Sequence, residues 1–201
     1  MLELTAARFN VFTKRNFLDA QTCHELIAEA HAAPTTRAPV YIRGSDETIH
    51  ETVRKTTSFH PCDATLAQVH ARLLNEKSAL EQHFGQSLTD CEQPQFLRYE
   101  PGDFFVRHQD GNTDQLEFDH LRIRRISLIV FLNDYAPEPR ENCYSGGALN
   151  LYENNDTSPS GPGPSPLLGE TGLLVAFTAD TFHEVAPVVS GERFTIITWF
   201  R

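Results

Sequence analysis

The chain has 201 residues, 40% of them hydrophobic and 22% charged, which suits one soluble domain around one sizeable core. Lys and Arg number 17 against 27 Asp and Glu, a net charge of −10 with no dense basic stripe; this argues against a general grip on nucleic-acid phosphates and against anionic membrane surfaces. Cys23, Cys62, Cys91 and Cys143 form no Cys-x-x-Cys pair, so they read as reduced, mostly buried thiols rather than a zinc knuckle or a disulfide framework.

The opening Met1-Leu2-Glu3-Leu4-Thr5 lacks the basic and then apolar segments of a signal peptide. No apolar run approaches the ~20 residues needed to span a bilayer, so a cytoplasmic protein is expected. Asp19 is placed to cap a helix over Gln21–His31, with Leu26, Ile27 and Ala30 on its buried side and Pro34 as its stop. Pro34–Thr57 is polar and weakly periodic, with a turn signal at Gly44-Ser45-Asp46, and reads as a loop or long hairpin. A second helix is expected from an N-cap at Asp63, with Leu66, Val69, Leu73, Leu80 and Phe84 at helical spacing, to Gly85.

From Pro94 onward the period changes. Short β-rich runs stand at Gln95–Tyr99, Phe104–Arg107, Arg125–Leu132, Ala148–Tyr152, Leu173–Phe177, Phe182–Ala186 and Phe194–Phe200. Many strands without intervening helices predict an antiparallel sandwich or barrel, mainly β, with the helices packed outside it. The division expected is one domain over 1–201, helical to about residue 93 and barrel from about 94. Two loops are expected, at Asp134–Ser145 and in the Pro/Gly/Ser-rich run Asp156–Pro166.

Three side chains carry the candidate chemistry. His108 and Asp110 form a His-x-Asp pair, and on a strand residues i and i+2 share a face. A third, His183, stands in Phe182-His183-Glu184-Val185. Two imidazoles and one carboxylate can take three positions on a metal and leave the rest open, the arrangement of non-heme Fe(II) oxygenases. The other six histidines on helices and in turns, together with His120, have no ligand spacing. Along Arg193–Phe200, Arg193, Thr195, Ile197 and Trp199 share one face and Phe194, Ile196, Thr198 and Phe200 the other. Both faces read as buried, so Arg193 needs an acidic partner, either within the protein or on a ligand.

The motifs together resemble the Fe(II)/2-oxoglutarate-dependent oxygenases of the prolyl 4-hydroxylase type. The matching pieces, in order, are Phe96-Leu97-Arg98-Tyr99-Glu100-Pro101-Gly102, Val106-Arg107-His108-Gln109-Asp110, Arg125 through Asn133, Gly146-Gly147-Ala148-Leu149-Asn150-Leu151, His183-Glu184-Val185, and Gly191-Glu192-Arg193-Phe194 through Trp199-Phe200. The resemblance covers roughly the C-terminal half. It implies a double-stranded β-helix, or jelly roll, with His108, Asp110 and His183 holding Fe(II). It also implies that Arg193 binds the distal carboxylate of 2-oxoglutarate, that the Tyr99 hydroxyl reaches the same molecule, and that Leu149, Val185 and Trp199 wall the pocket. The sequence departs from some relatives in having Arg193 where procollagen-type enzymes carry lysine, and Phe131 where some oxygen-sensing members carry tyrosine.

The implied reaction uses O2 and 2-oxoglutarate, with ascorbate as an accessory reductant, hydroxylates a C–H bond and releases succinate and carbon dioxide. An aspartate at position 110 favours hydroxylation over halogenation, which needs a small residue there. A prolyl residue in a protein or peptide is the expected substrate, a free amino acid or small metabolite the alternative. An inactive metal-binding scaffold is a further alternative, although all three ligands and the arginine are present. A zinc hydrolase could use the same ligands but would have no need of Arg193. Pro34–Thr57, with Arg37, Arg43 and Arg54, is the candidate cover over the substrate.

Overall fold

The computed structural model describes residues 8–40, 48–113, 119–138, 140–153 and 163–201. A short strand β1 (Phe12–Lys14) leads into helix α1 (Ala20–Ala32). The Asp19 carboxylate accepts the Thr22 N–H at 2.8 Å, the expected cap. Cys23, Leu26, Ile27 and Ala30 recur at i, i+3, i+4 and i+7 and make the buried stripe of the helix.

The segment after Pro34 is more ordered than its composition suggests. It contains β2 (Thr35–Arg37), β3 (Arg54–Lys55) and β4 (Thr57–Phe59), and Ala38, Val40 and Arg54 are buried. Gly44-Ser45-Asp46 lies outside the described residues. Short edge strands of this kind gain their stability from the strand beside them, so local periodicity does not reveal them.

The second expected helix is two, α2 (Asp63–Leu74) and α3 (Lys77–Phe84), separated at Asn75-Glu76. Asp63 is not its N-cap: Cys62 holds the extended cap conformation, and Asp63 is the first helical residue, where its charge faces the helix dipole favourably. The break leaves the apolar spacing intact, because Val69, Leu73 and Leu80 all reach the same core.

Strands β5 (Gln95–Tyr99) and β6 (Phe104–His108) follow, then a single helical turn α4 (Asp119–Arg122) and β7 (Ile126–Phe131). After them come β8 (Asp134–Tyr135), β9 (Cys143–Gly146), β10 (Leu149–Tyr152), β11 (Ser165–Leu167), β12 (Leu174–Thr178), β13 (Phe182–Val185), β14 (Val188–Ser190) and β15 (Arg193–Phe200). The two expected loops are thus partly strand. β8 and β9 pair in parallel inside 134–145, and Ser165–Leu167 pairs with β10 at a sheet edge, where Pro166 is tolerated. Residues 154–162 and Pro139 lie outside the described residues.

Seven strands in the order β1-β12-β7-β15-β5-β4-β2 form one sheet, and five in the order β11-β10-β13-β6-β3 form another. All pairings within these two sheets are antiparallel. Four strands from before residue 94 join them, so the N-terminal part contributes to the sheets as well as supplying the helices. Strand β7 is buried along its whole length because it is covered on both faces. Ile126, Leu128 and Val130 meet α1, α2 and α3 on one side. Ile129 and Phe131 meet Leu149, Leu151 and Leu167 of the smaller sheet on the other. Each fully buried side chain of this kind contributes roughly 1.5–3 kcal/mol. The protein is mainly β with helices on one outer face, the jelly-roll architecture expected.

Candidate metal and co-substrate site

Sheet register brings the two histidines together. His183 of β13 is paired directly with His108 of β6, and their ring centroids are 4.2 Å apart. The two strands lose register between His183 and Val185: Val185 faces Phe105, three residues before His108. The extra residue on β6 is a bulge, and it turns Phe105 and His108 towards the same side. Phe105 stacks on His108 at 3.6 Å, while Phe177 meets His183 edge-on at 4.9 Å.

Asp110 reaches the pair from the turn beyond β6. Its backbone N–H donates to the Ala179 carbonyl at 2.9 Å, and its Oδ2 accepts the Ser127 hydroxyl at 2.7 Å. His108 Nδ1 lies 2.8 Å from the Val106 carbonyl, and His183 Nδ1 lies 2.9 Å from that of Thr181. A carbonyl only accepts, so each Nδ1 carries the proton it donates there, which leaves each Nε2 to offer a lone pair to a metal. Both Nε2 atoms lie 3.4 Å from an Asp110 oxygen. One ligand atom from each residue falls within 4.8 Å of the others, so the donor set fits a divalent transition ion.

The electrostatics suit that set. Burial pushes His183 down to about 4, with His108 adding to the shift, so its imidazole is neutral at neutral pH. Burial of Asp110 opposes its ionisation, but His183 and His108 outweigh that and hold its carboxyl below the ordinary range.

Arg193 stands on β15 of the larger sheet, opposite Tyr99 of β5, and is 1% exposed. Its guanidinium contacts the Thr195 hydroxyl at 3.3 Å and the Tyr144 hydroxyl, and its Nε finds no partner. Among the described residues no carboxylate pairs with it. The rings of Tyr99 and Phe131, each 5.1 Å away, and of Tyr144 at 6.0 Å surround the charge. Cation–π contacts contribute about 0.5–2 kcal/mol each, less than the several kcal/mol that desolvating an unpaired charge costs. Space for the arginine stem depends on Gly147, where φ is +58° and a Cβ would come within 3.0 Å of Arg193 Cδ.

A cavity of about 910 Å³ lies between the sheets. His108, Asp110 and His183 line it, together with Tyr99, Leu149, Val185 and Trp199. Arg193 does not form part of its wall. Trp199 is at the other end of β15, the cross-strand neighbour of Ser127, and carries the Arg124 guanidinium over its ring at 3.5 Å. Arg193 and Trp199 therefore mark two ends of one strand, the tryptophan at the end nearer Ser127 and Asp110.

Sequence reasoning missed Ser127, Phe105, Tyr144 and Thr195 as neighbours of the site. Thr195 was legible from the alternation that contains Arg193. Tyr144 had no signal, because it stands in a stretch that reads as a loop.

The sequence profile of the 2OG-Fe(II) oxygenase superfamily matches residues 94–201. The chain belongs to that superfamily. A PKHD-type hydroxylase of Sphingopyxis alaskensis is 32% identical over 108 residues, covering 54% of this chain and 43% of that protein. One from a Synechococcus strain is 29% identical over 136 residues, 67% of this chain and 50% of the relative. The chain thus spans about half the length of the curated relatives it matches. Among solved structures, a Pseudomonas putida prolyl-4-hydroxylase superposes with a TM-score of 0.68 at 25% identity, covering 97% of this chain and 94% of that one. A Trichoplax adhaerens prolyl hydroxylase, solved with a hypoxia inducible factor peptide, shares the fold at 16% identity and a TM-score of 0.64 over 95% and 83%. The prolyl 4-hydroxylase-like resemblance seen in the motifs extends to the whole described fold. No helix among the described residues is long and apolar enough to cross a membrane.

Proposed function

We propose that the chain is an Fe(II)- and 2-oxoglutarate-dependent dioxygenase that hydroxylates a substrate C–H bond, with a prolyl residue of a protein or peptide as the target. His108, Asp110 and His183 would hold the metal, and Arg193 the distal carboxylate of 2-oxoglutarate. The observation that carries this reading is a buried guanidinium with no acidic partner among the described residues, on the larger sheet, with a His–Asp–His cluster on the smaller sheet packed against it. An internal ion pair would have removed the need for a ligand carboxylate.

When bound, ferrous iron with O2 and 2-oxoglutarate supplies the oxidising power, and the co-substrate leaves as succinate and carbon dioxide. The chain supplies orientation. Fixed Nδ1–H bonds aim both imidazoles, and Ser127 aims the carboxylate, so the three side chains would hold a metal at the cavity wall. A dicarboxylate running from the cluster to Arg193 would pass Ile197 and Thr195 along β15, with Tyr99 and Tyr144 beside its distal end. Ascorbate would serve as reductant for the metal. Similarity to the Pseudomonas putida prolyl-4-hydroxylase supports the choice of a prolyl target.

The test is succinate release with Fe(II), ascorbate and 2-oxoglutarate across proline-containing peptides and free amino acids, read by mass spectrometry for a gain of one oxygen. Expected is stoichiometric succinate and hydroxylated product, both lost in Asp110→Ala. Succinate formation that survives Asp110→Ala unchanged, or no oxygen gained by any substrate, contradicts the reading.

A further inference from the structure

A second buried arginine lines the same cavity. Arg54 stands on β3, the edge of the smaller sheet, directly opposite Phe105, and is 7% exposed. Its Nη1 donates to the Pro39 carbonyl at 3.0 Å. Among the described residues its Nε and Nη2 have no hydrogen-bond partner. The neighbouring cations on this segment are matched: Arg37 pairs with Glu51 at 2.8 Å and Lys55 with Asp103 at 3.3 Å. The Phe105 ring, 5.0 Å from the Arg54 guanidinium, offsets only part of the cost of burying that charge.

Nε and Nη2 form the edge of the guanidinium that grips a carboxylate with two parallel hydrogen bonds. Another arginine of the cavity wall uses the same edge in that way. Arg124 donates from Nε and Nη2 to the two Glu92 oxygens at 2.9 and 2.7 Å, so its fork is spent. Arg54 carries the same fork, buried and unpartnered among the described residues. Phe105 lies against both Arg54 and the metal-facing His108, so one aromatic ring relates the fork to the candidate metal centre.

We infer that Arg54 is the substrate anchor: the molecule oxidised carries a carboxylate that docks on its Nε and Nη2. This rests on the oxygenase reading above and adds to it the class of substrate. A peptide carbonyl could accept one or two of the same hydrogen bonds, but it would leave the buried charge uncompensated, whereas a carboxylate neutralises it. The carboxylate can belong to a free amino or other small carboxylic acid, or to an acidic or terminal residue of a peptide.

The test uses the Zn(II)-loaded protein with 2-oxoglutarate present, so binding is read without turnover. In one arm, saturation-transfer NMR and calorimetry compare free L-amino acids with their primary amides. In the other, proline-containing octapeptides with a glutamyl or C-terminal carboxylate are compared with the same peptides fully amidated. Expected is an acid in one arm bound at least ~10-fold more tightly than its amide, with Arg54→Met reducing it to the level of the amide. Arg54→Gln should behave as Arg54→Met does, and titration of each variant with 2-oxoglutarate reports whether the site is still folded. Amides equal to acids, an acid preference that survives both variants, or no acid bound in either arm overturns the inference. Failure of the wild-type protein to bind 2-oxoglutarate would instead strike the co-substrate reading, and the acid–amide contrast can still be read.

Discussion

The metal role proposed for His183 makes two demands: the imidazole must be neutral to offer a lone pair, and it must be held at one angle. Burial meets the first and the Thr181 carbonyl the second. The cost appears in acid. The ordinary value for the group is 6.5, and the folded chain lowers it to about 4. Between those values the unfolded chain takes up a proton that the folded chain refuses. Stability is therefore full above the upper value and is lost as the pH falls towards the lower, by about 3 kcal/mol at most. Asp110 adds to the same loss only towards the lower end of this window, where the unfolded carboxyl begins to take up a proton that the folded one refuses. Urea unfolding of the metal-free protein at pH 7 and pH 4.5 should show the loss, and His183→Gln should flatten it. Equal slopes in the two proteins would place the acid sensitivity elsewhere.

At the scale of elements, the long patterns were legible and the short ones were not. The spacing of Leu26, Ile27 and Ala30 sufficed for α1, and the alternation from Arg193 to Trp199 sorted the two faces of β15 correctly, since Phe194, Ile196 and Phe200 face the helices. β2, β3, β8, β9 and β11 are two to four residues long and are fixed by partners distant in sequence, so no local period announces them. That is why Arg54 read as part of a polar cover and Tyr144 as part of a loop. The His-x-Asp pair was legible, but the bulge that lines Phe105 up with His108 depends on β13 and could not be read from β6 alone. Packing between elements is tightest where β12 begins. Gly172 has φ +75°, its carbonyl accepts the Phe17 N–H at 2.9 Å, and a Cβ there would come within 1.9 Å of the Leu18 carbonyl oxygen. Gly172→Ala should therefore cost roughly 3 kcal/mol or more, read as a lowered urea midpoint. An unchanged midpoint would show that the start of α1 yields freely.

Across the whole molecule, two sheets enclose two arginines that stability alone does not explain. The interior accommodates Arg193 and Arg54 without an acid for either fork among the described residues, although 27 acidic residues are available in the sequence. A fold selected only for stability would pair or replace them, because an apolar residue of similar size avoids the desolvation cost. Arg193→Met should thus leave the ligand-free melting temperature unchanged or raise it, measured by calorimetry at pH 7. A fall of several degrees would mark Arg193 as a structural residue held by its aromatic neighbours.

The most direct measurement is calorimetric titration of 2-oxoglutarate into the protein loaded with Mn(II), an inert stand-in for the ferrous ion. One site should be filled per chain, with no binding when the metal is left out or when His183 is replaced by Ala, and with affinity at least ~10-fold weaker in Arg193→Met. Binding that needs neither the metal nor the arginine, or no binding at saturating concentration, would contradict the assignment of both.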